Sequence, residues 1–288
     1  MTAHPATALA PTRPRGARFR RPRWMTAPVV VGLSVLLFWV VVAVTIPLWS
    51  PADPIAPVAD RLASPTRAHP LGTDNLGRDV LSRTLYGART ALPVATMVIA
   101  GALVVGCVIG ALSGFSGGWV DAVLMRLVDM TLAFPAILLA MTVTAYLGRD
   151  IRNIVIGIIA VAWPGYARLL RGQVLAIRQL DHVQAAIALG SSRTRVLVRH
   201  VLPLAISPII VAATMDFGGV ILLVASLSFI GLGAKPPTPE WGVMITDGAR
   251  FFYQWWIAAG PGIAIFTVVL GANFVGDGLR DVLDPRTR

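Results

Sequence analysis

Charged residues are scarce in this 288-residue sequence, in which 14% are Asp, Glu, Lys or Arg and 56% are hydrophobic. A soluble domain carries about a quarter charged residues. The shortage therefore argues against an ordinary soluble protein and favours a membrane protein. Cysteine is nearly absent as well, and the lone Cys107 excludes both a disulfide within the chain and a cysteine cluster for zinc.

Several chemical signatures are also missing. No G-x-x-x-x-G-K-[ST] phosphate-binding loop occurs, so the chain is not expected to hydrolyse ATP by itself. The stretch TDNLGRD, residues 73–79, lacks the regularly spaced acids and the distal glutamate of a calcium loop, and no metal site is expected. The histidines all fall outside the apolar runs, which argues against a catalytic centre within the membrane.

Apolar runs are the dominant feature that is present. A bilayer core is crossed by about 20 helical residues, and the first run has no charge and is longer than the apolar region of a signal peptide. We therefore expect an all-α integral membrane protein. The runs predict six transmembrane helices at about Ala27–Leu48, Ala91–Leu112, Met130–Leu147, Ile154–Leu170, Leu204–Leu232 and Ile257–Val275. Pro164 and Gly165 are expected to kink the fourth.

The arginines predict the orientation of these spans. The net charge of +11 would indicate nucleic acid in a soluble protein, but basic loops that stay in the cytoplasm explain it here, and no nucleic-acid partner is expected. Residues 1–26 carry six arginines and are predicted to be a disordered cytoplasmic tail. Both termini are then cytoplasmic, with an extracytoplasmic loop at 49–90, a five-helix core at 91–279 and a cytoplasmic tail at 280–288. Within the loop, a short amphipathic surface helix is predicted from Asp79.

A basic segment interrupts the apolar core on the cytoplasmic side. The stretch QAAIALGSSRTRVLVRHVLP, from Gln184 to Pro203, carries three arginines and a histidine. Gly190 is a natural helix C-cap, a serine pair follows that can cap a second helix, and Pro203 is expected to end that helix. We call residues 181–203 the basic hairpin. Val183, Ala186, Ile187 and Leu189 are predicted to share one helical face.

Spacing alone leaves two interpretations of the basic hairpin open. It could lie on anionic lipid with its arginines against phosphate groups, since basic amphipathic segments are common beside membranes. Alternatively, it could be a docking element for a cytosolic partner.

Four stretches favour docking, because they resemble one transporter family in the same order and at the same spacing. The basic hairpin resembles the cytoplasmic EAA signature of ABC-importer permeases. HPLGTDNLGRDVLSRTLYGAR (69–89), SLSFIGLGAKPPTPEWGVMI (226–245) and WWIAAGPGIAIFTVVLGANFVGDGLRDVLDPR (255–286) resemble the dipeptide, oligopeptide and nickel branch, C-type subunit. The signature differs from the family pattern at Gln184, where glutamate is usual, and at Ile187 and Leu204.

The resemblance implies a type I ABC-importer permease fold in a bacterial plasma membrane. It implies a second homologous permease, two cytosolic ATPase subunits or a fused one, an extracytoplasmic substrate-binding protein and surrounding lipid. ATP and Mg²⁺ would be bound by the ATPase subunits, and no cofactor by this chain. The residues that the resemblance assigns to ATPase coupling are Gln184, Ala185, Ala186, Gly190, Arg193, His200, Leu202 and Pro203.

A few polar residues outside the basic hairpin are further candidates. Asp216 lies within the fifth span, where a charge usually faces a cavity or a partner. We expect Asp216 to line the translocation pathway or to contact a neighbouring helix, with a position at the membrane interface as the alternative. Asn273 is expected to hydrogen-bond a neighbouring helix or to line the pathway. Asp74, Arg78 and Asp79 are expected to form an extracytoplasmic contact surface for the binding protein or the second permease.

The alternative from another class is a self-sufficient ion-coupled carrier or a membrane-embedded enzyme. Such carriers tend to show internal repeats and several buried acids, and neither is evident here. The sequence does not specify the cargo, which could be a dipeptide, a longer peptide, a haem-like molecule or a metal chelate.

Overall fold

The computed structural model describes residues 27–283, so the predicted basic tail at 1–26 and residues 284–288 lie outside the described part. Residues 27–283 contain helices and no strand. The helices are α1 (Ala27–Trp49), α2 (Val80–Ser116), α3 (Gly118–Leu132), α4 (Ala136–Leu147), α5 (Ile151–Ile177), α6 (Asp181–Ala188), α7 (Arg193–Val196), α8 (Leu202–Leu227), α9 (Trp241–Arg250) and α10 (Trp256–Leu283). Two π-helical turns, Leu197–Val201 and Ser228–Leu232, flank α8.

The structure confirms an all-helical membrane architecture. Five of the described helical segments are long and apolar enough to cross a bilayer, and the number is six if the bent pair α3 and α4 counts as one span. The first span agrees with the sequence prediction to within one residue. The last helix continues to Leu283, so part of the predicted tail at 280–288 is helical.

The predicted span Met130–Leu147 is wrong in form. Two helices of 15 and 12 residues meet there at an angle of 89°. The break precedes Pro135, which has no backbone N–H and disfavours helical conformation in the residue before it. The chain therefore turns sharply at a place where hydropathy alone suggested a straight segment.

One further sequence prediction also needs correction. Asp79 does not begin a separate surface helix, because its side chain accepts a 2.7 Å bond from Ser82 N and caps α2, which continues into the membrane span. α5 forms one helix over Ile151–Ile177 with Pro164 inside it, and the kink expected at Pro164 and Gly165 stays a prediction. α5 is also longer than the apolar run Ile154–Leu170, because its ends carry polar residues beyond the hydrophobic stretch.

The most extensive helix packing lies between α2 and α5, which run in the same direction. Gly106 and Gly110 of α2 face the backbone of α5, and a Cβ atom at either position would collide with the carbonyl oxygen of Trp163 or Ala167. Small residues at this spacing let two helices approach closely in a membrane. The pair therefore extends from one end of the protein to the other. We call the end formed by residues 50–79 the loop end, and the end that carries the basic hairpin the hairpin end.

Ion pairs fasten α3 to α5 at the hairpin end. Arg171 donates two bonds of 2.6 Å to the two carboxylate oxygens of Asp121. One helical turn before it, Arg168 donates a 2.6 Å bond to Asp129. The bidentate pair is the more specific of the two, because the planar guanidinium matches both oxygens of one carboxylate.

A buried charge cluster organises the loop end. Asp74 accepts a 2.7 Å bond from Arg78 Nε and lies 3.5 Å from Arg83 Nε. Arg83 also donates to the carbonyl oxygens of Pro54, at 2.7 Å, and Pro237, at 3.3 Å. One guanidinium therefore joins three segments that are far apart in the sequence.

The position of this cluster corrects the expectation that Asp74, Arg78 and Asp79 form an external contact surface. All three residues are at most 5% exposed. Asp79 caps α2 and also lies 2.8 Å from His69 Nδ1. Their polar atoms are occupied within the chain, where they hold the loop together.

Helix α9 covers the same end and begins at a buried carboxylate. Glu240 accepts 3.0 Å bonds from Gly242 N and Val243 N, which satisfies two free N–H groups of the first turn. The next residue, Trp241, donates a 2.8 Å bond from its indole to Thr84 O of α2. The cap therefore fixes α9 at the point where it joins the membrane domain.

The stability contributed at Glu240 is expected to depend on pH. Burial raises the pKa of this carboxyl above its ordinary 4.5, although its two backbone hydrogen bonds act in the opposite direction. The folded state then binds a proton more readily than the unfolded state, so Glu240 lowers stability as the pH rises above 4.5 and this loss is relieved on acidification. In detergent, the unfolding temperature of the wild type relative to Glu240→Gln should increase as the pH is lowered from neutral toward 4.5. A constant or falling difference would contradict this assignment.

Candidate functional site

The basic hairpin contains a tight turn at Gly190. This glycine has φ +81°, in the left-handed region that glycine occupies at little cost. Its N–H bonds to Ile187 O at 2.9 Å, and the N–H of Ser191 bonds to Ala186 O at 3.1 Å. These two bonds form a Schellman motif, which satisfies the last carbonyls of α6. The predicted C-cap is confirmed.

The second arm of the basic hairpin differs from the prediction. Ser192 caps α7 through a 3.4 Å bond from Arg195 N, as expected for a serine at this position. The helical conformation does not end at Pro203, because the π-helical turn Leu197–Val201 leads directly into α8. Proline is tolerated in a first helical turn, where its missing N–H has no partner to lose. The arm is therefore continuous with a membrane-spanning helix.

The inner side of the basic hairpin is buried against the membrane helices. Val183, Val196 and Val201 have no exposed surface, and they pack in one cluster with Val174 and Ile177 at the end of α5. Burying a valine side chain contributes about 1.5–3 kcal/mol. These contacts attach the basic hairpin to α5 and α8.

The outer side of the basic hairpin is exposed and partly apolar. Leu189 is 87% exposed and Ile187 is 47% exposed. Val183, one helical turn before Ile187 on α6, is buried, so the apolar face predicted for this helix is covered at its start and exposed at its end. Around the apolar tip stand the exposed arginines Arg193, Arg195 and Arg199. An apolar knob with a basic rim is a shape that can enter a groove on another protein.

Gln184 gives a physical reason for one departure from the family signature. Its side-chain amide nitrogen donates a 2.7 Å bond to Arg178 O at the end of α5. An ionised glutamate cannot donate this bond. Arg178 in turn donates a 3.2 Å bond to Gly114 O near the end of α2. The signature position is therefore linked to both α5 and α2.

The predicted coupling residues all lie in the basic hairpin. Gln184, Ala185, Gly190, Arg193 and Pro203 are exposed, whereas Ala186, His200 and Leu202 are half-buried. Asp74, Arg78 and Asp79 lie at the opposite end and take no part in it. Asn273 lies on an exposed side of α10.

Asp216 contacts a neighbouring helix, which is one of the alternatives predicted from the sequence. Its carboxylate accepts a 2.7 Å bond from the hydroxyl of Tyr166 on α5. The carboxylate lies at the rim of a cleft of about 200 Å³ between α2, α5 and α8. Tyr166 was missed because a tyrosine in an apolar run reads as core, and only the spatial neighbourhood reveals its partner.

The acid–arginine pairs of α3 and α5 were also missed. Asp121 and Asp129 are eight residues apart, and so lie near one face of a helix, but α3 itself was not predicted. The available signal was their spacing together with the three-residue spacing of Arg168 and Arg171 on α5.

Residues 106–288 match a protein family described as binding-protein-dependent transport system inner membrane component. The chain belongs to this family. The matched region begins inside α2 and includes the whole basic hairpin. Together with five or six apolar helices, this membership identifies a multi-pass permease of the bacterial inner membrane.

Three similar proteins are permeases of peptide transport systems. The dipeptide transport system permease protein DppC of Alkalihalophilus pseudofirmus is 38% identical, over 98% of this chain and 92% of its own length. The probable D,D-dipeptide transport system permease protein DdpC of Escherichia coli K12 is 40% identical, over 92% and 88%. The glutathione transport system permease protein GsiD of Pectobacterium atrosepticum is 42% identical, over 80% and 77%.

Proposed function

We propose that this permease is the transmembrane subunit of an ATP-driven importer of dipeptides or oligopeptides. Family membership and the peptide-transport names of relatives that align over most of its length support this function. They favour a transport subunit over the self-sufficient carrier or membrane enzyme.

The observation that carries the proposal is the exposed tip of the basic hairpin on a rigid base. Ile187 and Leu189 are exposed, whereas Val183 and Val196 are buried and anchor the basic hairpin in the core. We assign this tip to a groove on a cytosolic ATPase subunit, with Gln184, Ala185, Ala186, Gly190, Arg193, His200, Leu202 and Pro203 forming the coupling site.

The energy source must be a separate subunit. The only lysine of the chain is Lys235, and it is followed by proline instead of the Ser or Thr of a phosphate-binding loop. ATP and Mg²⁺ are therefore assigned to two cytosolic ATPase subunits, or to a fused pair. The pathway would form between this chain and a second homologous permease, with an extracytoplasmic binding protein delivering the cargo.

This assignment fixes the orientation. The hairpin end faces the cytoplasm, both termini are cytoplasmic, and the charge cluster around Arg83 lies outside. ATP-driven movement of the ATPase subunits would then push on the basic hairpin. Because the basic hairpin follows α5 and continues into α8, its displacement would tilt both helices. The cleft between α2, α5 and α8 would then open to one side of the membrane or the other.

The decisive experiment is uptake in a reconstituted system. The permease, its second permease, the ATPase and the binding protein are placed in proteoliposomes, and labelled dipeptide is measured with ATP or with a non-hydrolysable analogue. We expect the labelled dipeptide to accumulate with ATP and not with the analogue, and only when all components are present. Uptake by this chain without an ATPase, or driven by an ion gradient, would overturn the proposal.

A further inference from the structure

A single carboxylate stands in the middle of the fifth membrane-spanning segment. Asp216 lies 14 residues after the start of α8, which corresponds to about 21 Å along the helix. A comparable length of helix, through the second π-turn, follows it. The side chain is exposed in the isolated chain, and Gly219, one turn further along, is exposed beside it. The charge is therefore near the mid-depth of the span and open to an approaching group.

The surroundings leave this charge without a counter-ion. Within residues 27–283, the ion pairs join other acids to other bases and none includes Asp216. Arg168 and Arg171, two and five residues beyond Tyr166 on α5, are already paired with Asp129 and Asp121. A carboxylate within a membrane is costly and usually faces a cavity or a cation.

The carboxylate is held in a fixed position from one side only. The Tyr166 hydroxyl donates to Oδ2, and the tyrosine itself is 4% exposed and packed in the core. Oδ1 accepts no hydrogen bond from the described residues and remains available. The cleft beside it has apolar walls formed by α2, α5 and α8, lined by Val98, Ile99, Ala102, Ile158, Ala162, Val220 and Leu223.

We propose that Asp216, positioned by Tyr166, binds the ammonium group of the peptide cargo as it crosses the membrane. This inference rests on the proposed transport function and assigns a recognition site within it. An ammonium group is satisfied by a few oxygen acceptors, whereas a hard divalent metal needs about six oxygen ligands. The cleft offers one carboxylate and one hydroxyl, so its chemistry suits an organic cation. A volume of about 200 Å³ accommodates such a group with its adjoining carbons.

A single carboxylate also suits a transit site. Passage requires attraction that is strong enough for entry and weak enough for release. One charge-assisted contact in a mainly apolar cleft provides moderate binding, whereas a cage of several acids would retain the cargo.

The test compares Asp216→Asn, Asp216→Glu and Tyr166→Phe in the complete transporter, with Thr214→Val as the matched control. Thr214 is on the same helix, and its hydroxyl bonds to Ile210 O of that helix. Maximal uptake of a dipeptide, ATP hydrolysis and co-purification of all subunits are measured. We expect Asp216→Asn to lower uptake about tenfold, as for loss of one charge-assisted hydrogen bond. Asp216→Glu should retain most uptake, Tyr166→Phe should fall between them, and the control should match the wild type.

The pattern separates recognition from a purely structural role. Asparagine can still accept the bond from Tyr166, so an inter-helix strut would leave Asp216→Asn fully active, and that result would overturn the proposal. Recognition of cargo predicts that ATP hydrolysis persists while the peptide carried per ATP falls. Loss of the second permease from Asp216→Asn complexes would instead assign the counter-cation to that partner and also overturn the proposal. If the wild type itself carries no peptide, the proposed function fails and not merely this site.

Discussion

The Gly190→Val variant is expected to reach the membrane in normal amounts and to lose at least about nine-tenths of peptide uptake. Gly190 has φ +81°, and a left-handed conformation costs an ordinary side chain about 1–2 kcal/mol, with a β-branched residue among the least tolerated. A Cβ atom there would meet no other atom within 4 Å. The substitution should therefore disturb the turn without disturbing the core, and the tip that meets the ATPase would change shape. The measurements are uptake and stimulated ATP hydrolysis in proteoliposomes.

The matched control for this variant is Gly190→Asn. Asparagine adopts the left-handed conformation more readily than other non-glycine residues, and the site has room for it. It should therefore retain substantial uptake. Equal and severe loss in both variants would mean that bulk at the tip, and not the turn, is critical. Normal uptake by Gly190→Val would contradict a docking role for this turn.

The Asp74→Asn variant is expected to destabilise the loop end severely. Asp74 accepts a bond from Arg78 Nε and lies beside Arg83, and all three residues are buried. Asparagine keeps the size of the side chain but leaves two buried guanidinium groups without their shared anion. Removing one member of a buried ion pair costs about 3–5 kcal/mol. The apparent unfolding temperature in detergent should fall by roughly 10 °C, with earlier protease cleavage in residues 50–79.

Asp60→Asn is the control for this prediction, since Asp60 is an exposed acid of the same loop. It should unfold at the wild-type temperature, because an exposed charge contributes little to stability. A change of Asp74→Asn that is no larger than that of Asp60→Asn would show that the cluster does not hold the loop end together.

The parts of the fold that were predictable are those encoded in continuous local patterns. The uncharged run at 27–48 gave α1 to within one residue, because hydropathy and length alone define a span. Gly190 followed by Ser192 gave the turn of the basic hairpin, because each residue has a specific backbone preference. Family signatures then supplied a function that spacing alone left open.

The parts that were missed depend on contacts between distant segments. The turn between α3 and α4 was not predicted, because hydropathy alone does not show where an apolar run bends. Asp74 was interpreted as a surface contact, because its burial depends on Arg83 and on a loop that folds over it. The pairing of Asp216 with Tyr166, 50 residues away, has no local signal at all. Polar residues near a membrane are ambiguous from sequence, because only their partners tell whether they serve structure or cargo.

The most direct test of the central claim is site-specific cross-linking from the tip of the basic hairpin. Leu189→Cys is introduced together with Cys107→Ser, which removes the only native cysteine, and Asp60→Cys in the same background serves as the control for the opposite face. We expect the thiol at position 189 to cross-link to the ATPase subunit, in a yield that changes with ATP, and the thiol at position 60 to react only with reagents from outside. Absence of a cross-link from position 189 in the assembled complex, or its labelling by an impermeant reagent from outside, would contradict the account.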